Sequence, residues 1–321
     1  MSDRILVTAR SFRATEGPHK QILRDAGYDL VECSQNRPLT AAELTPLMTD
    51  VVSAILGLDE VTAGVLAQAG RLKVISRFGV GTDSVDIGAA TEAGVVVTIT
   101  PGANSVAVAE LTIGLILALA RQIPYHDRVV RAGQWTRIQG IELSGAVLGI
   151  VGFGRIGREV GSRAAALGMR VLFYDPFPPE GGQAESCTID ELLARSDVIS
   201  LHLPLTKATR NLIDARALAL MKPSALLVNT ARGGLVDEPA LYEALASGKL
   251  AGAACDVFAS EPPGDSPLLR ADNFIGVPHI GSATLQTTLK MGLLASQNAL
   301  AVLRGERPEG VVNPAVYDRI R

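Results

Sequence analysis

Three glycines with the spacing G-x-G-x-x-G come directly after a short apolar run, at Gly152, Gly154 and Gly157. The run Val147 to Val151 is typical of a buried strand, and the residues after the glycines are typical of a helix. In that setting the first glycine allows a tight turn, the second lets a pyrophosphate approach the backbone, and the third lets helix and strand pack closely. The N–H groups of Arg155 and Ile156 would then face the phosphates at the positive end of the helix. The spacing therefore predicts a dinucleotide site.

A carboxylate at the end of the next strand indicates which dinucleotide binds. The run Met169 to Tyr174 is followed by Asp175. A carboxylate at this place accepts a hydrogen bond from the ribose 2′-OH and repels a 2′-phosphate. The residues that follow, Pro176 to Pro178, include no arginine that could bind such a phosphate. We therefore predict NAD, and not NADP, as the cofactor.

Three chemically useful side chains follow later apolar runs, at Arg232, Glu261 and His279. A protein that binds a nicotinamide must hold a substrate carbonyl, neutralise the oxyanion that grows on it, and supply a proton. Parallel strands would bring such residues together at their carboxyl ends. Taken alone, each residue also has an ordinary structural interpretation: Arg232 as an ion-pairing surface residue, Glu261 as a solvated turn residue, and His279 as a loop histidine. Together with the dinucleotide motif they predict a hydride-transfer site.

The elements that must position these residues are short apolar strands alternating with helical patterns. Runs typical of buried strands are Ile5–Thr8, Val51–Leu56, Leu72–Ser76, Val95–Ile99, Val147–Val151, Arg170–Tyr174, Val198–Leu201, Ala225–Asn229 and Ala251–Cys255. This alternation argues for α/β architecture with parallel sheets covered on both faces. The glycine motif lies about halfway along the 321 residues, so we predict a separate α/β domain in front of it. The long helical stretch Ala283–Leu303 is expected to return to that first domain.

Composition and charge exclude several other classes of protein. Hydrophobic residues make up 47% of the chain, charged residues 20%, and the formal net charge is -3. This balance predicts neither a nucleic-acid partner nor a membrane surface as partner. The N-terminus has no signal-peptide pattern, and the apolar stretch Val106–Ala120 is too short for a membrane span, so we expect a cytoplasmic protein. The three cysteines lack CxxC spacing, so we expect no metal.

These motifs, in this order, resemble the D-2-hydroxyacid dehydrogenase family, most closely its D-3-phosphoglycerate dehydrogenase branch. Further matching stretches are Arg77–Asp86, Thr100–Ser105, Ala109–Leu111 and Gln122–Trp135. The resemblance implies an NAD-dependent oxidoreductase that acts on the CH–OH group of a small 2-hydroxy acid. It also implies two doubly wound parallel-sheet domains with the active site between them. A Rossmann NAD-binding domain, residues 101–287, would be inserted into a flavodoxin-like substrate-binding domain, residues 1–100 and 288–321.

The resemblance assigns a role to each candidate site residue. His279 would be the general acid and base, Glu261 would orient it and favour its protonated form, and Arg232 would grip the keto acid. Asp256 would bond the nicotinamide carboxamide. Other cofactor contacts are expected at Pro204, Thr206, Thr230, Ala231 and Gly281. Substrate contacts are expected at Arg77, Val80, Gly81, Asn104 and Arg137.

The arginines of this resemblance leave the substrate open. Phosphoglycerate dehydrogenases meet the substrate phosphate with arginines at three places, and Arg77 and Arg137 match two of them. Leu56 occupies the third, and we interpret it as an apolar cleft wall that suits hydroxypyruvate or glyoxylate. An alternative of a different class is an NAD-sensing corepressor with the same fold. The resemblance also implies a homodimer, with residues 124–139 as an arm, and, since the sequence ends at Arg321, no C-terminal regulatory domain.

Overall fold

A computed structural model of the chain describes residues 2–178 and 184–320. The chain divides into two compact units, Met1–Asn104 with Ala283–Arg321, and Ser105–Ser282. These limits lie close to the predicted domain limits at residues 100 and 288. Which function each unit serves stays a prediction.

The first unit contains a five-stranded parallel sheet in the order β2-β1-β3-β4-β5. Its strands are β1 (Arg4–Val7), β2 (Asp29–Glu32), β3 (Ser53–Leu56), β4 (Val74–Arg77) and β5 (Val96–Thr98). This is the 2-1-3-4-5 order of flavodoxin-like folds. Every residue of β3 and β4 is buried, as expected for strands that helices cover on both faces.

The helices of the first unit are α1 (Arg10–Ala14), α2 (Pro18–Asp25), α3 (Ala41–Met48), α4 (Ala63–Gln68), α5 (Ile87–Glu92) and the long α12 (Leu285–Leu303). Helix α12 belongs to this unit, and that the returning segment completes a substrate-binding domain stays a prediction. His19 of α2 is fully buried and lies against Gly292 of α12, where a Cβ would come within 2.9 Å of its ring. Ser296 Oγ of α12 donates to His19 O at 2.8 Å. His19 is thus a core residue of this unit, although the charged residues around it in sequence suggest a polar surface.

The second unit contains a seven-stranded sheet in the order β12-β11-β10-β9-β6-β7-β8, in which all pairs are parallel. Its strands are β6 (Val147–Val151), β7 (Arg170–Tyr174), β8 (Glu185–Ser186), β9 (Val198–Leu201), β10 (Leu226–Asn229), β11 (Gly252–Cys255) and β12 (Phe274–Gly276). The strand order reverses between β6 and β9, and this is the switch point where Rossmann folds bind their ligands. The predicted fold class, two doubly wound parallel sheets, is confirmed.

The helices of the second unit are α6 (Ser105–Ala120), α7 (Ile123–Arg131), α8 (Arg155–Ala166), α9 (Ile189–Arg195), α10 (Ala215–Leu220) and α11 (Glu238–Ala246). One side of the sheet packs on α6 and α8 through residues such as Ile116, Ile150 and Val160, which are all fully buried. Within residues 2–178 and 184–320, no single helix is long and apolar enough to cross a membrane; α6 and α7 reach that length and composition only as a pair bent by 62°.

Candidate active site

The glycine motif forms a turn between β6 and α8 in which two of the three glycines are tightly packed. Gly152 has φ 99°, and a Cβ on it would lie 2.7 Å from the backbone carbon of His202. A Cβ on Gly157 would lie 2.2 Å from Gly152 O. A Cβ on Gly154 would meet nothing within 4 Å, so the turn is open above this residue. Because α8 begins here without a side-chain cap, the N–H groups of Arg155 and Ile156 are available to a pyrophosphate, and the turn fits that group.

Asp175 follows β7, and its carboxylate is held by the backbone on either side of the turn. One oxygen accepts from Phe153 N at 2.7 Å and the other from Phe177 N at 2.8 Å. Since a carboxylate oxygen accepts more than one hydrogen bond, a ribose hydroxyl can still bind. The position and the fixed orientation fit the ribose of NAD.

The segment after β9 borders the same turn. Pro204 and Thr206 are exposed, and the Thr206 hydroxyl accepts from Thr209 N at 3.2 Å in a local turn. His202 Nε2 lies 2.8 Å from Ser200 Oγ, whereas His202 Nδ1 is buried without a hydrogen-bond partner in the described part of the chain. Burial lowers the pKa of His202 to about 3, so its ring is neutral in the folded protein.

The side chains of His279 and Glu261 are paired in this site. His279 Nδ1 lies 2.7 Å from Glu261 Oε2, and the other carboxylate oxygen accepts from Phe258 N at 3.1 Å. Burial acts to raise the pKa of Glu261, but the hydrogen bond to His279 and the charge of that ring outweigh it, so the pKa lies below its ordinary value. An ionised Glu261 orients the imidazole and leaves Nε2 free to exchange a proton with a ligand.

Asp256 holds the loop that carries His279. The backbone N–H of His279 donates to Asp256 O at 2.9 Å, while Ile280 N and Gly281 N donate to the two carboxylate oxygens at 2.6 and 2.8 Å. His279 has φ 52°, a left-handed conformation that is unfavourable for a bulky side chain. Burial raises the pKa of Asp256, against the lowering effect of the two backbone hydrogen bonds. Each oxygen of Asp256 thus accepts one backbone bond from the His279 loop, and since a carboxylate oxygen accepts more than one hydrogen bond, a carboxamide N–H can still bind.

Arg232 is positioned by Asn229, to which the sequence analysis assigned no role. Asn229 Nδ2 donates to Arg232 O at 2.8 Å, and its Oδ1 accepts from Ala231 N at 3.0 Å. A fully buried amide at the end of an apolar strand is the signal that could have identified it. A Cβ on Gly233 would lie 1.9 Å from the backbone carbon of Phe258, so the Arg232 loop and the Glu261 loop are in direct backbone contact. The charge of Arg232 contributes to the lowered pKa of Glu261. The second unit therefore brings Arg232, Glu261 and His279 together.

Three predicted substrate contacts of the first unit, Arg77, Val80 and Gly81, lie at the end of β4 and in the loop that follows it. Arg77 is 2% exposed, and its guanidinium donates to Gly81 O at 3.1 Å and to Leu56 O at 3.0 Å. It braces the loop from inside. The N–H groups of Val80 and Gly81 have no acceptor among the described residues, so both are available to a ligand carboxylate.

Three other residues that the sequence connects with the substrate, Asn104, Leu56 and Arg137, lie in different surroundings. Asn104 Oδ1 is buried and has no hydrogen-bond partner in the described ranges, and its contact with a substrate stays a prediction. The interpretation of Leu56 as a cleft wall was wrong, because its side chain is fully buried in the core of the first unit. Arg137 lies in an exposed stretch of the second unit, after Trp135, which is 81% exposed.

In residues 2–178 and 184–320, no group of three or more histidine, cysteine, aspartate or glutamate residues could hold a metal ion.

Comparison with known proteins places this geometry in a family. The family model described as D-isomer specific 2-hydroxyacid dehydrogenase, NAD binding domain, matches residues 113–281. D-3-phosphoglycerate dehydrogenase of Methanocaldococcus jannaschii is 48% identical over 284 residues, which are 86% of this chain and 54% of that protein. The chain thus spans about half the length of that relative.

Two further proteins match the chain over nearly their whole length. Glyoxylate reductase of Thermofilum pendens is 41% identical over 312 residues, 93% of this chain and 92% of that protein. The crystal structure of the TT0316 protein from Thermus thermophilus superposes with a TM-score of 0.89 at 41% identity, covering 96% of this chain and 99% of that chain.

The fixed carboxylate of Asp175 predicts discrimination between the two dinucleotides. NADH should bind at least about tenfold more tightly than NADPH, a difference of about 1.4 kcal/mol, because the carboxylate repels a 2′-phosphate. Asp175→Ala should narrow the ratio, while Asp190→Ala, a surface carboxylate of the same unit, should leave it unchanged. Fluorescence titration of each protein with both dinucleotides measures the ratio. Equal affinities in the unmodified protein would contradict the assignment.

The neutral ring of His202 predicts a loss of stability in mild acid. Below about pH 6.5 the unfolded chain binds a proton on this ring that the folded chain does not, until pH falls to about 3. This one group should therefore lower the free energy of unfolding by about 2 kcal/mol between pH 7 and pH 5. The variant His202→Gln keeps a donor for Ser200 but cannot titrate. Between pH 7 and pH 5 its free energy of unfolding should therefore fall by about 2 kcal/mol less than that of the unmodified protein.

Urea unfolding followed by circular dichroism at pH 7 and pH 5 measures this difference. His126→Gln on α7 is the control for the removal of a histidine. If His202→Gln and the unmodified protein lose equal stability in acid, the ring is not held neutral by burial.

Proposed function

Because the chain belongs to the D-isomer specific 2-hydroxyacid dehydrogenase family, we propose that it transfers a hydride between NAD and a small 2-hydroxy or 2-keto acid. The observation that carries the proposal is the His279–Glu261 pair at 2.7 Å, beside the backbone contact that joins its loop to that of Arg232. The match to an NAD-binding domain confirms NAD as the cofactor predicted from the glycine turn and Asp175.

The residues of the second unit supply what the reaction needs besides the hydride. NAD, when bound, accepts or donates the hydride. Arg232 offers a fixed guanidinium fork to the carboxylate and carbonyl oxygens of a keto acid, and its positive charge stabilises the oxyanion as the carbonyl is reduced. His279 Nε2 donates the proton that this oxygen takes up, and Glu261 stabilises the ring while it is protonated. In the oxidative direction the neutral ring removes the same proton.

The substrate class we propose is a short, unphosphorylated acid such as hydroxypyruvate or glyoxylate, with 3-phosphoglycerate as the second candidate. The support is the burial of Arg77, which is 2% exposed and whose guanidinium donates to two backbone carbonyls of its own unit. A guanidinium used in this way is poorly placed to receive a phosphate. The names of two relatives, glyoxylate reductase and D-3-phosphoglycerate dehydrogenase, support the two candidates.

We also propose that the protein is a cytoplasmic homodimer. The support is a run of exposed apolar side chains in the predicted arm and on α7, which a second copy could cover: Ile123, Val130, Trp135 and Ile138. Sedimentation of the purified protein measures the oligomeric state.

Substitution of His279 tests the proposed chemistry. His279→Gln should lower kcat by about 10²–10⁴-fold while the Kd for NADH stays nearly unchanged, because the ring acts on the proton and not on the dinucleotide. Glu261→Gln removes the anion that stabilises the protonated ring. The fall in the rate of keto-acid reduction at high pH should then move to lower pH.

Steady-state rates between pH 5 and pH 10 measure both effects, and Glu243→Gln on the exposed face of α11 is the control. Near-normal turnover by His279→Gln would contradict the assigned role. NADH binding without turnover of any keto acid by the unmodified protein would favour the corepressor alternative.

The substrate class is tested by comparing three keto acids. The value of kcat/KM for hydroxypyruvate should equal or exceed that for phosphohydroxypyruvate, with glyoxylate measured as the shortest acid. A phosphate bound by one exposed arginine would add about 1.5–3 kcal/mol, or about 10- to 150-fold. Arg137→Gln should therefore reduce turnover of the phosphorylated acid alone if that side chain binds the phosphate. A clear preference of the unmodified protein for phosphohydroxypyruvate would overturn the proposal.

A further inference from the structure

The loop that carries Glu261 follows β11 and has few hydrogen bonds to the rest of its unit. Among residues 2–178 and 184–320, no main-chain group of residues 257–262 forms a hydrogen bond with another main-chain group. Phe258 N donates within the loop, to the side chain of Glu261. In the same part of the chain, the one main-chain hydrogen bond from this loop to another element is that of Ala259 N, which donates to Glu238 Oε1 at 2.6 Å. Glu238 thus attaches the main chain of the loop to the rest of its unit.

The peptide group between Phe258 and Ala259 is held by one short segment, residues 233–238. A Cβ on Gly233 would lie 1.9 Å from the carbonyl carbon of Phe258 and 2.3 Å from Ala259 N, so the two main chains are in contact there. Such a contact prevents approach but resists separation only weakly, because the attraction between single pairs of atoms is small. The hydrogen bond to Glu238 is directional and resists separation. The two interactions together fix the peptide.

Glu238 is itself fixed, since it is the first residue of α11. The side chain of Asp237 caps this helix, and Leu241, one turn along, is fully buried in the core of the second unit. The segment that leads into the helix begins at Arg232. One short piece of chain therefore carries Arg232 at its start and, at its end, the carboxylate that holds the loop of Glu261.

We propose that Glu238 is a positioning residue that keeps Glu261 against His279 by holding the N–H of Ala259. The inference rests on the proposed function, because it requires His279 to exchange the proton of the reaction. When the hydrogen bond to Glu238 is absent, the loop can move, and the Glu261 carboxylate spends less time at its distance of 2.7 Å from His279 Nδ1. The ring then loses part of the stabilisation of its protonated form.

Position and charge have to be separated in the test, because several charged groups surround this pair. Arg232 and Asp256 face it from the ends of β10 and β11: the charge of Arg232 lowers the pKa of Glu261, and the charges of Glu261 and His279 act on the pKa of Asp256. Glu238→Ala and Glu238→Gln both remove a charge, but only glutamine keeps an oxygen that can accept from the loop. The difference between the two variants therefore reports the hydrogen bond and not the charge.

The test measures the reduction of whichever of hydroxypyruvate, glyoxylate and phosphohydroxypyruvate the unmodified protein turns over fastest. Glu238→Ala should lower kcat by about 3- to 10-fold, the effect of one hydrogen bond, and leave the Kd for NADH unchanged. The fall in rate at high pH should move to lower pH, as expected for Glu261→Gln. Glu238→Gln should keep kcat within about twofold and keep the pH profile. Glu243→Ala on the exposed face of α11 is the control for the loss of an acidic residue.

A double variant shows whether Glu238 acts through Glu261. In Glu261→Ala no carboxylate remains to be positioned, so the further change Glu238→Ala should alter kcat by less than about twofold. The inference is overturned if Glu238→Ala keeps full kcat, if Glu238→Gln loses as much as Glu238→Ala, or if the loss is the same with and without the side chain of Glu261.

Failure of the proposed function would be recognised separately. If the unmodified protein reduces none of the three keto acids, or if His279→Gln keeps near-normal turnover, the proposed function fails and the inference with it. Should circular dichroism show that Glu238→Ala does not fold, Glu238→Asp takes its place: it keeps the charge at the start of α11 but is one methylene shorter, so it lengthens the bond to Ala259 N. Full kcat and an unshifted pH profile of Glu238→Asp would then overturn the inference.

Discussion

The geometry of the site depends on three hydrogen bonds that Asp256 accepts from the loop of His279. They hold His279 at φ 52°, a conformation that costs about 1–2 kcal/mol for a side chain with a Cβ. Two of the bonds end on a buried carboxylate, and charge-assisted bonds of this kind contribute about 1.5–3 kcal/mol each. The burial that raises the pKa of Asp256 is opposed by the same two bonds. The loop is therefore held in an unfavourable conformation by a buried carboxylate, and the loop's N–H groups in turn stabilise the charged form of that carboxylate.

Close backbone contact is the second constraint, and glycine makes it possible. Gly233 lets the loop of Arg232 lie directly against Phe258, whose N–H holds Glu261. Gly157 does the same for helix α8 against the turn at Gly152. In both places a Cβ would overlap backbone atoms, which cannot move aside as a flexible side chain can. Main-chain contacts thus position the glycine turn and the His279–Glu261 pair, and the side chains extend from fixed points.

Much of this arrangement can be predicted from sequence because it is local and periodic. Buried parallel strands are continuous apolar runs, and the spacing of the glycines identifies the turn between strand and helix. Both sheets and the dinucleotide site can therefore be predicted from the sequence. The short edge strands β2 and β12 were not predicted, because each has only two large apolar residues and is only partly buried. The burial of His19 was not predicted, because it depends on Gly292, which is far from His19 in the sequence but lies against it in the fold. The roles of Asn229 and Glu238 could not be predicted, because both residues form hydrogen bonds that no local sequence pattern indicates.

The error at Leu56 has a different cause, the alternation of side chains along a strand. Successive residues of β3 point to opposite faces of the sheet, and Ile55 and Leu56 accordingly enter two different cores. The side chain of the last residue of a strand can point toward a ligand or into a core. The sequence position is the same in both cases, so the sequence does not distinguish them. Here Leu56 stays in the core, and its carbonyl accepts from the buried Arg77.

That bond links the end of β3 to the loop after β4, in which the N–H groups of Val80 and Gly81 have no acceptor among residues 2–178 and 184–320. Backbone N–H groups can recognise a carboxylate, which every 2-hydroxy acid shares, and they carry no information about the rest of the molecule. In the proposed function, this loop, held in place by the buried Arg77, would recognise the acid group. Side chains outside the loop would then decide among the acids.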